Sequence, residues 1–331
     1  MTAAPRIDPA RIALAARTID PAFRDTPTWH APAIDAICRT EVHQKLELLT
    51  PIRSFKGRGA DWFVASLDVA DVRPLICASA GNFGQGLAWA ARARHRPLTV
   101  YAATTANPGK IERMRALGAT VVLHGHDLDE AKQEAKRVAA ARQWHFVEDG
   151  LEAAVSEGAG TIAVELLQTV MALDVILVPV GNGALTAGIG VWCATHAPYV
   201  SVIGVCAEGA PAMARSWRAH RDGLPLDASI VTTPQANTIA DGIAVREPIP
   251  EAVADMRDVV RDVVCVSDDA IRDAMRLLWR TGGLVVEPAG AAGLAPLLDP
   301  AHPWRGARVA SILCGGNCTD AQVRELLLDP A

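Results

Sequence analysis

Lys56 is the residue of this chain whose position most directly suggests covalent chemistry. It lies in the segment PIRSFKGRGA, after loop-like residues and before an apolar stretch with helical spacing, so it is predicted at the start of a helix. A lysine amine is usually solvated at the protein surface. An amine held in a pocket can instead attack a carbonyl carbon and form a Schiff base. The segment alone leaves both interpretations open.

Two glycine turns with polar side chains follow predicted strands. The turn SAGNFGQG (79–86) offers Ser79 and Asn82, and the turn ILCGGNCTD (312–320) contains Cys314. In parallel sheets, ligands bind beyond the carboxyl ends of the strands, where such turns lie. Each turn also has a purely structural interpretation, because Asn82 can cap a helix and a cysteine that ends a strand is commonly buried.

A third turn, VPVGNGALTAG (178–188), has the form of a phosphate site. Gly181 and Gly183 precede a predicted helix, so backbone N–H groups and the positive end of the helix dipole would face a bound anion. The turn contains G-x-G but not G-x-G-x-x-G, and a dinucleotide interpretation would need Glu208 to bind a ribose hydroxyl. A nicotinamide-binding protein is therefore only a remote alternative, because that function would give Lys56 and Asn82 no role.

In their order along the chain, these features resemble the threonine/serine dehydratase branch of the fold-type II pyridoxal-phosphate enzymes, which have the tryptophan synthase beta-like fold. The family signature is S-F-K-x-R-G-A, S-A-G-N-x-x-Q-G, V-G-x-G-x-L, E-P-x-G-A and S/C-G-G-N. The matching segments are SFKGRGA (54–60), SAGNFGQG (79–86), VPVGNGAL (178–185), VEPAGAAG (286–293) and CGGN (314–317). The segment TIADGIAV (238–245) is also similar to a family segment. The resemblance covers nearly the whole chain.

The resemblance implies that pyridoxal 5'-phosphate is the cofactor and that Lys56 is the catalytic residue. Lys56 would form the Schiff base with the cofactor and then remove the proton from Cα of the substrate. Asn82 would hydrogen-bond the phenolic oxygen of the cofactor, and Cys314 would face its pyridine nitrogen. The implied cofactor-binding residues are Lys56, Asn82, Gly181, Asn182, Gly183, Ala184, Leu185, Glu287 and Cys314. The implied substrate-binding residues are Ser79, Asn82, Phe83 and Gln85.

Several positions depart from the family pattern. Phe83 stands where many relatives have His beside the carboxylate pocket. Cys206 and the pair Pro211–Ala212 replace the acidic ligands of relatives that are regulated by a divalent cation, so no metal site is expected, and Glu208 stays as the one candidate ligand of this loop. Ala80 stands where racemising relatives have the serine that serves the second face of Cα. Because racemisation needs an acid–base group on each face of that carbon, elimination is the favoured reaction.

The predicted function is therefore that of a pyridoxal-phosphate-dependent lyase. It would carry out β-elimination on a β-hydroxy amino acid such as threonine or serine and release a 2-oxo acid and ammonia. In such enzymes the cofactor supplies the electron-sink chemistry and the protein supplies orientation. Other reactions on the same scaffold stay open, namely elimination from diaminopropionate or hydroxyaspartate, β-replacement and racemisation.

Alternating apolar runs and helical patterns predict the elements that position these residues. Four buried strands joined by three helices lie between the lysine segment and about residue 150, and the pattern then restarts. Such βαβ units form parallel sheets that are covered on both faces. The sequence predicts an α/β fold of two doubly wound domains, a small one at 76–150 and a large pyridoxal-phosphate-binding one made of 1–75 together with 151–331. The segment 221–250 is predicted to be irregular.

Composition narrows the class of protein further. Half of the 331 residues are apolar, 21% are charged and the formal net charge is -5, which gives no electrostatic reason to bind nucleic acid or an anionic membrane. No apolar run is long enough to span a bilayer, and the first twenty residues contain no secretory apolar stretch. Seven scattered cysteines without a C-x-x-C pair suit a reducing compartment. Composition therefore predicts a cytoplasmic protein, and the family resemblance implies that it binds a small amino-acid substrate and forms a homo-oligomer, with a homodimer as the expected form.

Overall fold

The structure of the protein is a computed structural model that describes residues 5–79 and 81–328. Ala80, the position compared above with racemising relatives, lies outside the described residues. The described residues form ten strands in two sheets. The strands are β1 (Thr28–His30), β2 (Glu41–Leu46), β3 (Leu75–Ala78), β4 (Leu98–Ala102), β5 (Thr120–Leu123), β6 (His145–Phe146), β7 (Val175–Pro179), β8 (Ser201–Ala207), β9 (Asp262–Val266) and β10 (Arg308–Leu313).

Helices pack on both sheets and connect their strands. The α-helices of the described residues are α1 (Pro9–Thr18), α2 (Pro32–Cys38), α3 (Lys56–Ser66), α4 (Asn82–Ala93), α5 (Pro108–Ala116), α6 (Leu128–Arg142), α7 (Ala153–Thr169), α8 (Ala184–His196), α9 (Ala212–Arg221), α10 (Leu226–Ser229), α11 (Pro250–Arg257), α12 (Asp268–Gly282), α13 (Pro288–Ala291) and α14 (Asp320–Val323). Shorter 3₁₀ turns lie at Pro21–Phe23, Glu47–Leu49, Asp241–Ile243 and Ala295–Leu298, and a π-turn at Arg324–Leu328. Most of the segment 221–250 is irregular, as predicted.

Both sheets are built from parallel strands. The larger sheet has the order β1-β2-β10-β7-β8-β9, and all its neighbouring strands are parallel except β1, which is antiparallel to β2. Every residue of β7, VILVP, is buried, as expected of a strand covered on both faces. The smaller sheet has the order β5-β4-β3-β6 and is parallel throughout. The predicted α/β fold is confirmed.

The sequence pattern did not predict β1 or β2. For β2 the reason is its polar composition. This strand reads EVHQKL, so it lacks the apolar run that identifies a buried strand. Lys45 is nevertheless fully buried, because its Nζ donates hydrogen bonds to Glu165 Oε2 and to the carbonyl of Thr26, both at 2.6 Å. An ion pair, rather than apolar contact, compensates the burial of this strand residue.

Helix α4 begins at Asn82, inside the glycine turn SAGNFGQG (79–86). The hydroxyl of Ser79 accepts the N–H groups of Gly81 and Gly84 at 3.2 and 3.0 Å, so it satisfies donors that would otherwise lack partners at the helix start. Ser79 therefore has the capping role that the sequence gave as one interpretation of Asn82, and the amide of Asn82 is available for other contacts.

Helix α3 contributes to the core of the smaller sheet. Its residues Ala60, Phe63 and Val64 belong to the same buried apolar cluster as Leu75 and Val100 of that sheet. The predicted domain boundary at residue 76 therefore runs through an apolar cluster to which residues on both sides contribute. The division of the chain into a domain at 76–150 and a domain made of the remaining residues stays a prediction.

Within the described residues, no helix combines the length and the apolar character that crossing a membrane requires.

Candidate active site

Main-chain hydrogen bonds join the start of α3 to the end of β10. The N–H of Phe55 donates to the carbonyl of Cys314 at 3.1 Å, and the N–H of Gly316 donates to the carbonyl of Arg53 at 2.9 Å. The first and the last of the predicted motifs are therefore adjacent, although most of the chain separates them. Lys56 consequently lies beside the carboxyl end of an interior strand of the larger sheet, where parallel sheets bind ligands.

The amine of Lys56 is enclosed by the protein rather than solvated. Its side chain is 17% exposed, and Nζ donates a hydrogen bond to Oδ2 of Asp149 at 2.5 Å. Nζ also lies 4.5 Å from the centre of the Phe55 ring. The second carboxylate oxygen of Asp149, Oδ1, is buried and has no hydrogen-bond partner among the described residues. The structure thus excludes the surface-amine interpretation of Lys56.

The buried residues Glu287 and Asn317 form a network with the partly buried Asn82, which joins three of the motifs. Asn82 Nδ2 donates to Glu287 Oε1 at 2.8 Å, and Asn317 Nδ2 donates to Asn82 Oδ1 at 2.8 Å. The N–H of Asn317 donates to Glu287 Oε2 at 3.1 Å. A side chain at Gly315 would displace the Glu287 carboxyl group, since a Cβ would lie 2.0 Å from Glu287 Oε1. The network connects the first turn of the smaller sheet to the last strand of the larger one.

Cys314 is a buried, neutral thiol at the end of β10. Its Sγ donates to the carbonyl of Ala289 at 3.6 Å. Burial raises the pKa of the Cys314 thiol far above its ordinary value, and the nearby carboxyl of Glu287 acts in the same direction. A protonated thiol carries no charge, so Cys314 supplies no negative charge to its surroundings.

Glu287 has a carboxyl group that titrates near neutral pH. Burial raises its pKa from the ordinary value of 4.5 to about 7, and the charge of Asp241 adds to this shift. The charge of Lys110 and the hydrogen bonds that Glu287 accepts from Asn317 and Asn82 favour the ionised form and oppose the shift. Burial outweighs these contacts, so the folded protein retains this proton to a higher pH than the unfolded chain.

We expect this pKa shift to appear in the pH dependence of stability. Between pH 4.5 and about 7, the unfolded chain has released the Glu287 proton while the folded protein still holds it, so the free energy of unfolding falls as pH rises. Above about 7 this contribution levels off. The Glu287→Gln variant has no such proton to lose and should lack this part of the slope. Denaturant titrations of the cofactor-free protein across this range measure it, and identical slopes in both proteins would contradict the assignment.

The loop before α8 presents unpaired backbone donors at a helix start. In the described part of the chain, no backbone acceptor is found for the N–H groups of Gly181, Asn182 and Gly183. Gly183 has a φ of +86°, which favours glycine, and a Cβ on Gly181 would lie 2.8 Å from the carbonyl oxygen of Gly242. Helix α8 has 13 residues, so the positive end of its dipole adds to these donors. The loop fits a phosphate group.

Three predicted site residues have side chains in the apolar core. Phe83 and Ala184 belong to the cluster of the smaller sheet, and Leu185 belongs to a cluster of the larger sheet. Ala184 and Leu185 can therefore offer a ligand only backbone groups, which is what phosphate binding requires. Phe83 is 6% exposed, and its contact with substrate stays a prediction.

Gln85 is a buried amide with an unmet hydrogen-bonding need. The residue is 1% exposed, and its Nε2 has no partner among the described residues. Buried polar groups are nearly always paired, so an orphaned amide suggests that a ligand or water supplies the acceptor. This observation is compatible with the predicted place of Gln85, with Ser79 and Asn82, beside the substrate carboxylate.

Lys56 and the glycine loop are close enough to act on one molecule. Gly150 follows Asp149, and a Cβ on Gly150 would lie 2.4 Å from the carbonyl oxygen of Asn182. Asp149 in turn contacts Lys56. The site therefore presents an amine, which reacts with aldehydes, near N–H groups that bind phosphate. This donor set fits pyridoxal phosphate, which carries both an aldehyde and a phosphate.

Sequence reasoning missed three polar residues of the site. Asp149 lies just beyond β6 and before Gly150, so the rule applied to the other strand ends could have found it. Lys110 and Asp241 form an ion pair of 2.8 Å, and a Cβ on Gly81 would lie 3.6 Å from Lys110 Nζ. Asp241 lies in TIADGIAV (238–245), which was noted only for its similarity to a family segment, and Lys110 is far from it in the chain, so the sequence did not indicate that the two residues pair.

Comparisons with known proteins agree with a site that binds pyridoxal phosphate. A family model described as "Pyridoxal-phosphate dependent enzyme" matches residues 19–315. The L-threonine ammonia-lyase of Thermotoga maritima is 34% identical over 308 residues, which cover 92% of this chain and 74% of that protein. The biosynthetic L-threonine dehydratase of Salmonella typhimurium is 36% identical over 277 residues. These residues cover 82% of this chain and 52% of that protein, so the chain spans about half the length of that relative.

The similarity to solved structures also extends over nearly the whole chain. The structure of maize serine racemase matches this one with a TM-score of 0.88 and 27% sequence identity, and the match covers 96% of each chain. The family model includes Lys56, the glycine loop and Cys314 within its matched residues. The chain therefore belongs to the pyridoxal-phosphate-dependent enzymes of fold type II, in their threonine/serine dehydratase-like family.

Proposed function

We propose that this enzyme eliminates water from a β-hydroxy amino acid such as threonine or serine and releases a 2-oxo acid and ammonia. The observation that carries the proposal is the enclosed amine of Lys56, which lies beside Cys314 and near the glycine loop. The similarity to the L-threonine ammonia-lyase of Thermotoga maritima supports the reaction and the substrate.

The chain's own groups orient the substrate and move its proton. When bound, pyridoxal phosphate supplies the electron sink that stabilises negative charge at Cα of the substrate. Lys56 is placed to accept the Cα proton at Nζ. The N–H groups that start α8 would hold the phosphate, and the amide of Asn82 would hydrogen-bond the phenolic oxygen. The remaining proposed contacts are Ser79, Phe83 and Gln85 with the substrate and Glu287 with the ring.

The neutral thiol of Cys314 favours elimination over other outcomes. A carboxylate at this position would raise the pKa of the ring nitrogen and strengthen the electron sink, whereas a protonated thiol does not. With the neutral Cys314 thiol beside it, the cofactor would supply a weaker electron sink, which would favour loss of the β-substituent over return of the proton to Cα.

Racemisation is the second candidate, because the maize serine racemase structure is similar to this one over nearly its whole length. Incubation of the enzyme with one enantiomer of serine distinguishes the two reactions. The proposed function predicts that pyruvate and ammonia form in equal amounts and faster than the opposite enantiomer. Faster formation of the opposite enantiomer would establish the racemase candidate instead.

We expect the activity to be independent of divalent cations. Among the described residues, no group of three or more His, Cys, Asp or Glu side chains is arranged to hold a metal ion. Cys206 is fully buried, and its Sγ lies 3.9 Å from the carbonyl of Val180. Treatment with a chelator should leave the rate and the thermal midpoint within experimental error. A large loss that magnesium or calcium restores would contradict this expectation.

We also propose the cellular setting and assembly. All seven cysteines are free thiols, which supports a cytoplasmic location. The net charge of -5 supports a small-molecule partner rather than nucleic acid or an anionic membrane. A homodimer is proposed from the family resemblance, and the division into a small domain at 76–150 and a large domain of 1–75 with 151–331 is proposed from the restart of the strand and helix pattern near residue 150.

A further inference from the structure

We propose that Lys110 is a specificity-determining residue whose ammonium group binds the α-carboxylate of the substrate. The enzyme would then require a free carboxylate on Cα, and the amide of the same amino acid would be a poor substrate. The inference rests on the proposed function, because it places the substrate carboxylate at the start of α4.

The start of α4 offers neutral donors that suit a carboxylate. The Ser79 hydroxyl engages two N–H groups of this turn, whereas no acceptor for the N–H groups of Asn82 and Phe83 is found among the described residues. Nε2 of Gln85, in the same turn, is buried and likewise without a partner in the described part of the chain. Helix α4 has 12 residues, so the positive end of its dipole adds to these donors. A buried carboxylate still needs a full positive charge to balance it.

Position 83 does not supply that charge in this chain. Phe83 stands where many relatives have His, and it is buried in the apolar cluster of the smaller sheet. A cation that balances the substrate carboxylate therefore has to come from another element.

Lys110 of α5 is a cation that lies across the same turn. A Cβ on Gly81 would lie 3.5 Å from Lys110 Cδ and 3.6 Å from its Nζ. The Lys110 side chain is only 11% exposed, so its ammonium group is largely shielded from solvent. Shielding from water strengthens the attraction between this charge and an anion that binds beside it.

The ammonium group of Lys110 also has unused hydrogen-bonding capacity. It has three N–H donors, and Asp241 Oδ2, at 2.8 Å, is its hydrogen-bond partner among the described residues. The Asp241 side chain is 58% exposed, so water solvates it and weakens its repulsion of a second carboxylate. Burial alone would lower the pKa of Lys110, but the charge and hydrogen bond of Asp241 outweigh burial and raise this pKa. Lys110 therefore stays charged and can hold a second anion.

A binding experiment tests Lys110 without turnover. The probe is 3-hydroxypropionate, which resembles serine but has no amine to react with the cofactor. At equal ionic strength it should raise the thermal midpoint of the wild-type holoenzyme more than the neutral 3-hydroxypropionamide does. Lys110→Gln should abolish this difference, and Lys110→Arg, which keeps the charge, should retain it. Equal effects on the wild-type enzyme, or a difference that persists in Lys110→Gln, would overturn the proposal.

Substrate selectivity tests the same contact during turnover. The wild-type enzyme should have a higher kcat/KM for serine than for serinamide, which lacks the carboxylate charge. Lys110→Gln should lower the ratio of these two values by about tenfold to a hundredfold, the loss expected for one hydrogen bond to a charged group. A ratio that stays within about threefold of the wild-type value would overturn the proposal.

Two control variants separate direct contact from the other roles that Lys110 can have. Asp241→Asn breaks the ion pair but keeps the ammonium group, and Arg113→Gln removes another cation of α5, one that donates to Asn317 at 2.7 Å. Both should keep the ratio within about threefold of the wild-type value. If either lowers it as much as Lys110→Gln does, the effect comes from the ion pair or from the overall charge of α5, and the proposal is wrong. If the wild-type enzyme eliminates from neither serine nor threonine, the proposed function fails, while the binding experiment still reports on Lys110.

Discussion

The Lys56→Ala variant is expected to lose more than about a thousandfold in the rate of 2-oxo acid formation. General-base catalysis alone typically contributes about 10²–10⁴-fold, and the loss of covalent attachment of the cofactor adds to this. The enclosed position of the amine, at the start of α3 and against Asp149, is the reason to assign both roles to this residue. Rates with threonine and with serine, measured with added pyridoxal phosphate, give the loss directly.

Covalent labelling separates loss of the attachment point from general damage to the site. Borohydride reduction of the native enzyme should fix the cofactor on the peptide that contains Lys56. Lys132→Ala is the matched control, because Lys132 is a partly buried lysine that pairs with Glu148 on the neighbouring turn. It should retain activity and labelling. Labelling of a peptide other than the one with Lys56 would refute the assignment.

Much of the fold and part of the site could be predicted from the sequence, because they depend on local patterns. Buried parallel strands are short apolar runs, so β3, β4, β7 and β10 are visible as such. The glycine turns follow these strands, and their order identified the family. The enclosed Lys56 and the unpaired donors of the glycine loop lie where the motifs indicated.

The rest depends on contacts between distant residues and on burial, which local patterns do not report. Lys45 is a polar residue that is buried because Glu165, far away in the chain, pairs with it. Asp149 became a candidate only when the fold placed it against Lys56. Glu287 was assigned by resemblance, but its pKa near 7 results from burial within a three-dimensional network. Tertiary partners therefore decide which polar residues are buried and what charge they carry.

The same limitation applies to Arg58, which lies in the first turn of α3 with Lys56 but points into a different environment. Its guanidinium is fully buried, with Nε donating to Glu47 at 2.8 Å and Nη1 donating to Glu165 at 2.6 Å. Lys45 donates to Glu165 at 2.6 Å as well. Two cations and two carboxylates thus balance inside the protein, and this network fixes the helix that carries Lys56.

The Arg58→Met variant is expected to lose about 3–5 kcal/mol of stability, the cost of removing one partner from a buried ion network. Methionine leaves Lys45 as the one cation of this network for the two carboxylates. The loss should also depend on pH. Burial alone would raise the pKa of Glu165, but the hydrogen bond and charge of Arg58, together with Lys45, lower it below the ordinary value of 4.5. This stabilisation is present above pH 4.5 and is lost on acidification, so the difference between parent and variant should shrink as pH falls.

A second substitution distinguishes loss of charge balance from loss of packing. Arg58→Met/Glu47→Gln removes one cation and one carboxylate, which leaves the pair of Lys45 and Glu165 intact. If uncompensated charge causes the instability of the single variant, the double variant should be more stable than Arg58→Met by at least about 1 kcal/mol, since coupled residues are non-additive. Denaturant unfolding of the four proteins of the cycle gives this coupling energy. If the two substitutions prove additive, the cost of Arg58→Met comes from lost contacts around the α3 helix, and the network is not balanced by charge.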